Sequence, residues 1–114
     1  MPTVYKTLGQ SNPAATTATT LYTVPTSGTD TVVSTITVCN QASTAGTFRI
    51  AVRQYSASLA AQHYIAYDTP IAANDTIALT LGLTLDHNGT NGDIVSVYAS
   101  SANMSFSAFG SEIS

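Results

Sequence analysis

"TFRIAVRQY", Thr47 to Tyr55, decides the fold class. Phe48, Ile50 and Val52 fall on one face of an extended chain, and Arg49, Ala51 and Arg53 fall on the other. Successive side chains of a strand point to opposite sides, so a period of two marks a half-buried strand. No segment of the chain repeats its apolar residues at helical spacing.

The same period extends outward in both directions. Upstream, "TVVSTITVCN" (Thr31 to Asn40) sets Val32, Ile36 and Val38 against Thr31, Thr35 and Thr37, with "QASTAG" as the turn that follows. Before it, "LYTV" (Leu21 to Val24) ends at Pro25, and "PTSGTD" supplies a turn. Downstream, "SASLAA" interrupts the pattern before "QHYIAYD" (Gln62 to Asp68), where His63, Ile65 and Tyr67 share a face. Pro70 stops that run, and "AAND" turns the chain. "DTIALTLGLTL" (Asp75 to Leu85) then opposes Ile77, Leu79, Leu81 and Leu83 to Ala78, Thr80, Gly82 and Thr84. "DIVSVYAS" and "MSFSAFGS" complete the set. Short strands at this spacing predict an all-β fold: a compact antiparallel β-sandwich or jelly-roll-like barrel of about seven or eight strands.

Residues 1–20 read as an extended N-terminal arm and residues 21–114 as a single β domain. "SNPAATTATT" is small, polar and β-branched, and Pro13 breaks any helix there. An arm lying on a neighbouring subunit and a loosely held terminus both accord with that composition.

Charge narrows the function classes. Of 114 residues only 8% are charged, three basic and six acidic, whereas 44% are hydrophobic. A soluble domain ordinarily carries about 25% charge. So little charge leaves surface available for association, and an assembly subunit is the expected class. Lys6, Arg49 and Arg53 are too few cations to neutralise a run of phosphates, so no nucleic-acid partner is expected. An anionic membrane surface is disfavoured for the same reason, and no apolar stretch reaches the roughly 20 residues of a spanning helix. "MPTVYKTLGQ" lacks the basic leader and apolar region of a secretory signal. Cys39, the single cysteine, has no internal partner and gives no sign of an oxidising compartment.

The densest polar stretch, "TLDHNGTNGDIVSVY" (Thr84 to Tyr98), invites a metal or catalytic reading. A calcium loop counted from Asp86 would need Glu at its twelfth position, where Val97 stands. Asn-Gly pairs accept positive φ, so a turn explains these residues without a ligand. His63 and His87 lack zinc-site spacing, and no serine sits in a GxSxG elbow. A Cys39–His63–Asp68 grouping has no geometric support in the spacing. Asp30, Asp68, Asp75, Asp86 and Asp93 each stand at a strand end or turn, where Asx hydrogen bonds account for them. No enzyme activity, metal or cofactor is expected.

The aromatic residues carry more weight. Tyr55, Tyr64, Tyr67 and Tyr98 could form a sugar-stacking platform or lie at subunit contacts. Arg49 and Arg53, on the outer face of their strand, could pair with Asp68, with Asp75 or with acids of another subunit. The candidate assembly or ligand contacts are therefore Arg49, Arg53, Tyr55, Tyr64 and Tyr98.

The succession of "YTVP" (Tyr22 to Pro25), "FRIAV" (Phe48 to Val52) and "YDTPI" (Tyr67 to Ile71) is similar to small structural proteins of tailed bacteriophages, including cyanophages. The resemblance runs from about Leu8 to Ile113 and transfers no catalytic motif. It implies a virion component, foremost a capsid decoration or cement subunit on the head surface. Its implied partners are copies of itself, as a trimer by analogy with shell threefold positions, and other virion proteins such as the major capsid protein. A tail, baseplate or fibre component, with a role on host-surface carbohydrate, is the alternative.

Overall fold

The computed structural model describes residues 3–55 and 57–114. Met1 and Pro2 of the expected arm, and Ser56 of the "SASLAA" interruption, lie outside the described residues. Eight strands follow one another: β1 (Thr3–Ser11), β2 (Thr19–Thr23), β3 (Asp30–Asn40), β4 (Gly46–Arg53), β5 (Tyr64–Ile71), β6 (Thr76–Leu85), β7 (Ile94–Ala99) and β8 (Met104–Ile113). One 3-10 turn, Ala61–His63, precedes β5. Two four-stranded sheets result, ordered β1-β8-β3-β6 and β2-β7-β4-β5, with every pairing antiparallel. Apart from the β4–β5 link, each connection crosses from one sheet to the other, which is the winding of a jelly roll. The expected β-sandwich is what forms.

The core lies between the sheets. Phe48 and Phe106, both fully buried, meet edge to face at 6.2 Å between ring centroids, joining β4 to β8. Ile36, Val38, Ile50, Val95, Val97 and Met104 belong to the same buried cluster at 0–1% exposure. On β4 the inward set is the one that alternation predicts. Ala51 on the outer side is also buried, and Ala18, Leu59 and Tyr64 line the small cavity beside it.

Three expectations need correction. Residues 3–11, placed in the arm, are extended but not separate. They form β1, paired along its length with β8 of the same chain. Gly9 is what lets this edge close, since a Cβ there would collide with the Leu21 carbonyl oxygen of β2. Asn12 then ties the following loop down, its amide donating to the carbonyls of Ala102 and Met104.

The inward face of β3 is not uniform. Ser34 is an extra residue against β8, where Val33 pairs with Gly110 and Thr35 with Phe109. This bulge inverts the alternation. Thr31 and Val33 point inward before it, and Ile36, Val38 and Asn40 do so after it. Val32, expected inward, is on the outer face instead. The pairings of β1 with β8 and of β3 with β6 slip at the same level, so a crease crosses the first sheet.

Pro70 does not end β5. As the second sheet's edge strand, β5 can hold a proline whose missing N–H faces away from β4. His63 belongs to the preceding turn, and Ile65 and Tyr67 face solvent at 45% and 58% exposure.

Candidate functional site

The polar loop after β6 spends its groups on itself. Asp93, 8% exposed, accepts the backbone N–H of Tyr55 on Oδ1 and of Asp86 on Oδ2, each at 3.0 Å. Asn88 Oδ1 caps the amides of Thr90 and Asn91, and Gly89 takes φ +99° at the apex. His87 Nδ1 accepts from Gly89, as His63 Nδ1 accepts from Ala60. Among the described residues no three His, Cys, Asp or Glu side chains gather as metal ligands. Cys39 stands on the first sheet, whereas Asp68 belongs to the second and His63 to the turn that leads into it, so that grouping does not assemble.

The outer face of the second sheet builds something different. Phe48 pairs with Thr69 and Ile50 with Ala66, so Tyr67 and Asp68 stand together opposite Arg49. This bulge turns Asp68 to φ 47° and brings its carboxylate onto the guanidinium. Arg49 Nε donates to Asp68 Oδ1 at 2.7 Å, and Nη2 donates to Oδ2 at 3.3 Å. The guanidinium carbon lies 4.1 Å from the Tyr67 ring centroid and 4.2 Å from that of Tyr98, the cross-strand partner of Arg49 on β7. Tyr64 stands 6.0 Å away and meets Tyr67 edge to face at 4.9 Å. Arg49 therefore holds its proton more firmly than usual, first through the Asp68 hydrogen bond and then through the neighbouring negative charge. Beside this cluster is an open depression of about 650 Å³, lined by Leu59, Ala60, Ala61, Tyr64 and Tyr67.

Of the five candidate contacts, Arg49, Tyr64 and Tyr98 come together. Arg53 lies farther along β4, where Nη2 reaches Ser96 Oγ at 3.4 Å and Nε is buried without a partner among the described residues. Tyr55 belongs to the polar loop, with its hydroxyl donating to Asp86 Oδ2 at 3.3 Å. Desolvation first, then the Asp86 charge, raises its pKa. Tyr67, Asp68 and the Leu59–Ala61 wall complete the cluster. Sequence reasoning names Tyr67 and Asp68, but only the bulge shows that both face one arginine.

Chemically the arrangement is an aromatic surface whose one cation is already neutralised. It can stack against an uncharged, flat-faced ligand or a partner surface.

No protein-family model matches the chain, and no curated protein does. Among solved structures, a chain in the structure of the infectious bursal disease virus Gx strain is similar over 97% of this chain and 31% of its own length, at 14% identity and a TM-score of 0.47.

Proposed function

We propose that this chain is a virion structural protein, foremost a capsid decoration or cement subunit that bridges neighbouring shell proteins on a phage head. The observation that carries this reading is the internal use of positive charge. Lys6 pairs with Glu112 and Arg49 with Asp68, while Arg53 is directed to Ala57 and Ser96. Apart from the exposed Asp30, Asp75 and Asp86, the surface left for partners is hydroxyl-rich and apolar, including Tyr5 at 84% exposure and Val4 at 52%. Such a surface acts by occupancy, and many weak contacts repeated over a symmetric shell raise the barrier to rupture because they must fail together. Viral shell subunits are among the proteins built on jelly rolls, an analogy of fold that supports the reading without assigning a site.

Immunogold labelling of purified particles tests it. Gold spread over heads is the expected result. Gold confined to the tail or its tip overturns head decoration, and absence of the chain from dissociated particles overturns the virion role.

The depression beside Tyr64 and Tyr67 favours a second reading, a tail or fibre component that binds a host-surface sugar ring. Sugar-dependent chemical-shift changes at those tyrosines would support it, and their absence across a panel of neutral glycans removes it.

A further inference from the structure

Four strands end the two sheets, and three of those edges are guarded. β1 carries Lys6 and an irregular register at Leu8. β2 is five residues long and slips register after Thr20. β5 carries the Asp68 bulge and Pro70. Charges, prolines, bulges and short length are the devices by which sheet edges avoid pairing with other chains.

β6 also slips register once, with Leu81 and Gly82 opposite Ser34 of β3, but it has no charge and no proline over ten residues, and its one neighbour in the sheet is β3. Its outward residues, Thr76, Ala78, Thr80, Gly82 and Thr84, are all exposed, and a Cβ on Gly82 would meet open space. Its inward row, Ile77, Leu79, Leu81 and Leu83, packs on the core yet is only partly buried. The β1–β2 side of the sandwich is closed at Gly9 and Leu21, and the β6 side carries an unfinished apolar row beside an unpaired backbone.

We propose that β6 pairs antiparallel with β6 of a second copy of this chain about a twofold axis, continuing the first sheet from one subunit into the next. The strand is complementary to itself. With Leu81 on the axis, Leu79 faces Leu83 and Thr80 faces Gly82, so apolar residues meet on the inner side and small residues on the outer. No like charges oppose each other, although the chain as a whole is acidic. The guarded β1 edge stops growth from the far side of the sheet, so the contact closes as a pair instead of running on as a filament. An edge of ten residues, about 34 Å long, makes a small interface, and the pair forms reversibly with concentration. This inference does not depend on where in a particle the chain resides.

The test is sedimentation equilibrium of the full chain over a wide concentration range, with amide exchange followed on β6. A reversible monomer–dimer equilibrium is expected, with the β6 amides not bonded to β3 becoming protected as the dimer forms. Thr80→Lys and Thr84→Lys, both at exposed outward positions, should each weaken the dimer by about tenfold or more by placing charge at the seam. Ser107→Lys, on the outer face of the central strand β8, should leave it unchanged. A chain that stays monomeric overturns the proposal. So does a dimer indifferent to folded Thr80→Lys and Thr84→Lys variants, or one whose β6 amides remain unprotected.

Discussion

Tyr22 of β2 donates its hydroxyl to Glu112 Oε2 of β8 at 2.5 Å, a polar bond that crosses from one sheet to the other. The carboxylate can only accept, so the Tyr22 proton is committed to it and Thr31 Oγ1, 2.7 Å away, must be the donor to Tyr22. Lys6 of β1 completes the chain of contacts at 3.1 Å from Glu112 Oε1. Burial first, then the Glu112 bond, pushes the Tyr22 pKa far above its ordinary value of 10.0. The Tyr22 bond, followed by the Lys6 pair, holds Glu112 below its ordinary 4.5.

Tyr22→Phe removes both hydroxyl contacts and leaves Glu112 and Thr31 short of a partner. A loss of about 1–3 kcal/mol is expected from urea unfolding, the range for a buried group left unsatisfied. A loss below about 0.3 kcal/mol would show that water replaces the bond at no cost.

The same pair contributes at both ends of the pH profile. Glu112, depressed in the fold, contributes stability above its unfolded pKa, and that contribution is lost as pH falls below about 4.5. Tyr22, raised in the fold, contributes stability that is complete below about 10 and declines as pH rises beyond it. In Tyr22→Phe the tyrosine's alkaline contribution should vanish and the Glu112 acid contribution shrink. Melting temperatures from pH 3 to 11, compared between the two proteins, measure both differences.

Asp93 predicts the behaviour of the polar loop. Asp93→Asn retains one acceptor oxygen for two backbone donors, so either Tyr55 or Asp86 loses its bond. A cost of about 1–3 kcal/mol is expected, with faster exchange at one of those amides. Asn88→Ala, on the exposed apex, should cost less than Asp93→Asn in the same denaturation series.

The Arg49–Asp68 pair is exposed on its acidic side, so its contribution is small and screened by salt. Asp68→Asn should lower the denaturation midpoint slightly at low ionic strength, with the difference from the parent closing as salt is added. A gap unaffected by salt would point to the φ 47° backbone rather than the charge.

Two glycines should respond in opposite ways to alanine. Gly9→Ala forces backbone apart at the β1–β2 closure and is expected to cost about 2 kcal/mol or more. Gly82→Ala meets open space at a φ that alanine can adopt, so it should be neutral or add up to about 1 kcal/mol. Thermal melts of the two variants decide it.

Alternation alone determined the class of this protein, because a strand buried on one side must place apolar residues two apart. "TFRIAVR" and "TIALTLGLTL" fold with the inward faces that rule assigns. The turn chemistry of "HNGTNGD" was equally legible, since Asn and Gly at its apex act through bonds to their near neighbours. Tertiary structure decided what depends on a partner distant in sequence. β1 is a strand because β8, about a hundred residues later, offers it an edge. Val32 and Thr31 exchange faces because a bulge adds one residue, which local composition does not mark. Tyr67 and Asp68 converge on Arg49 for the same reason: one irregular register moves two side chains to a single position, and register belongs to the pairing of strands, not to either strand alone.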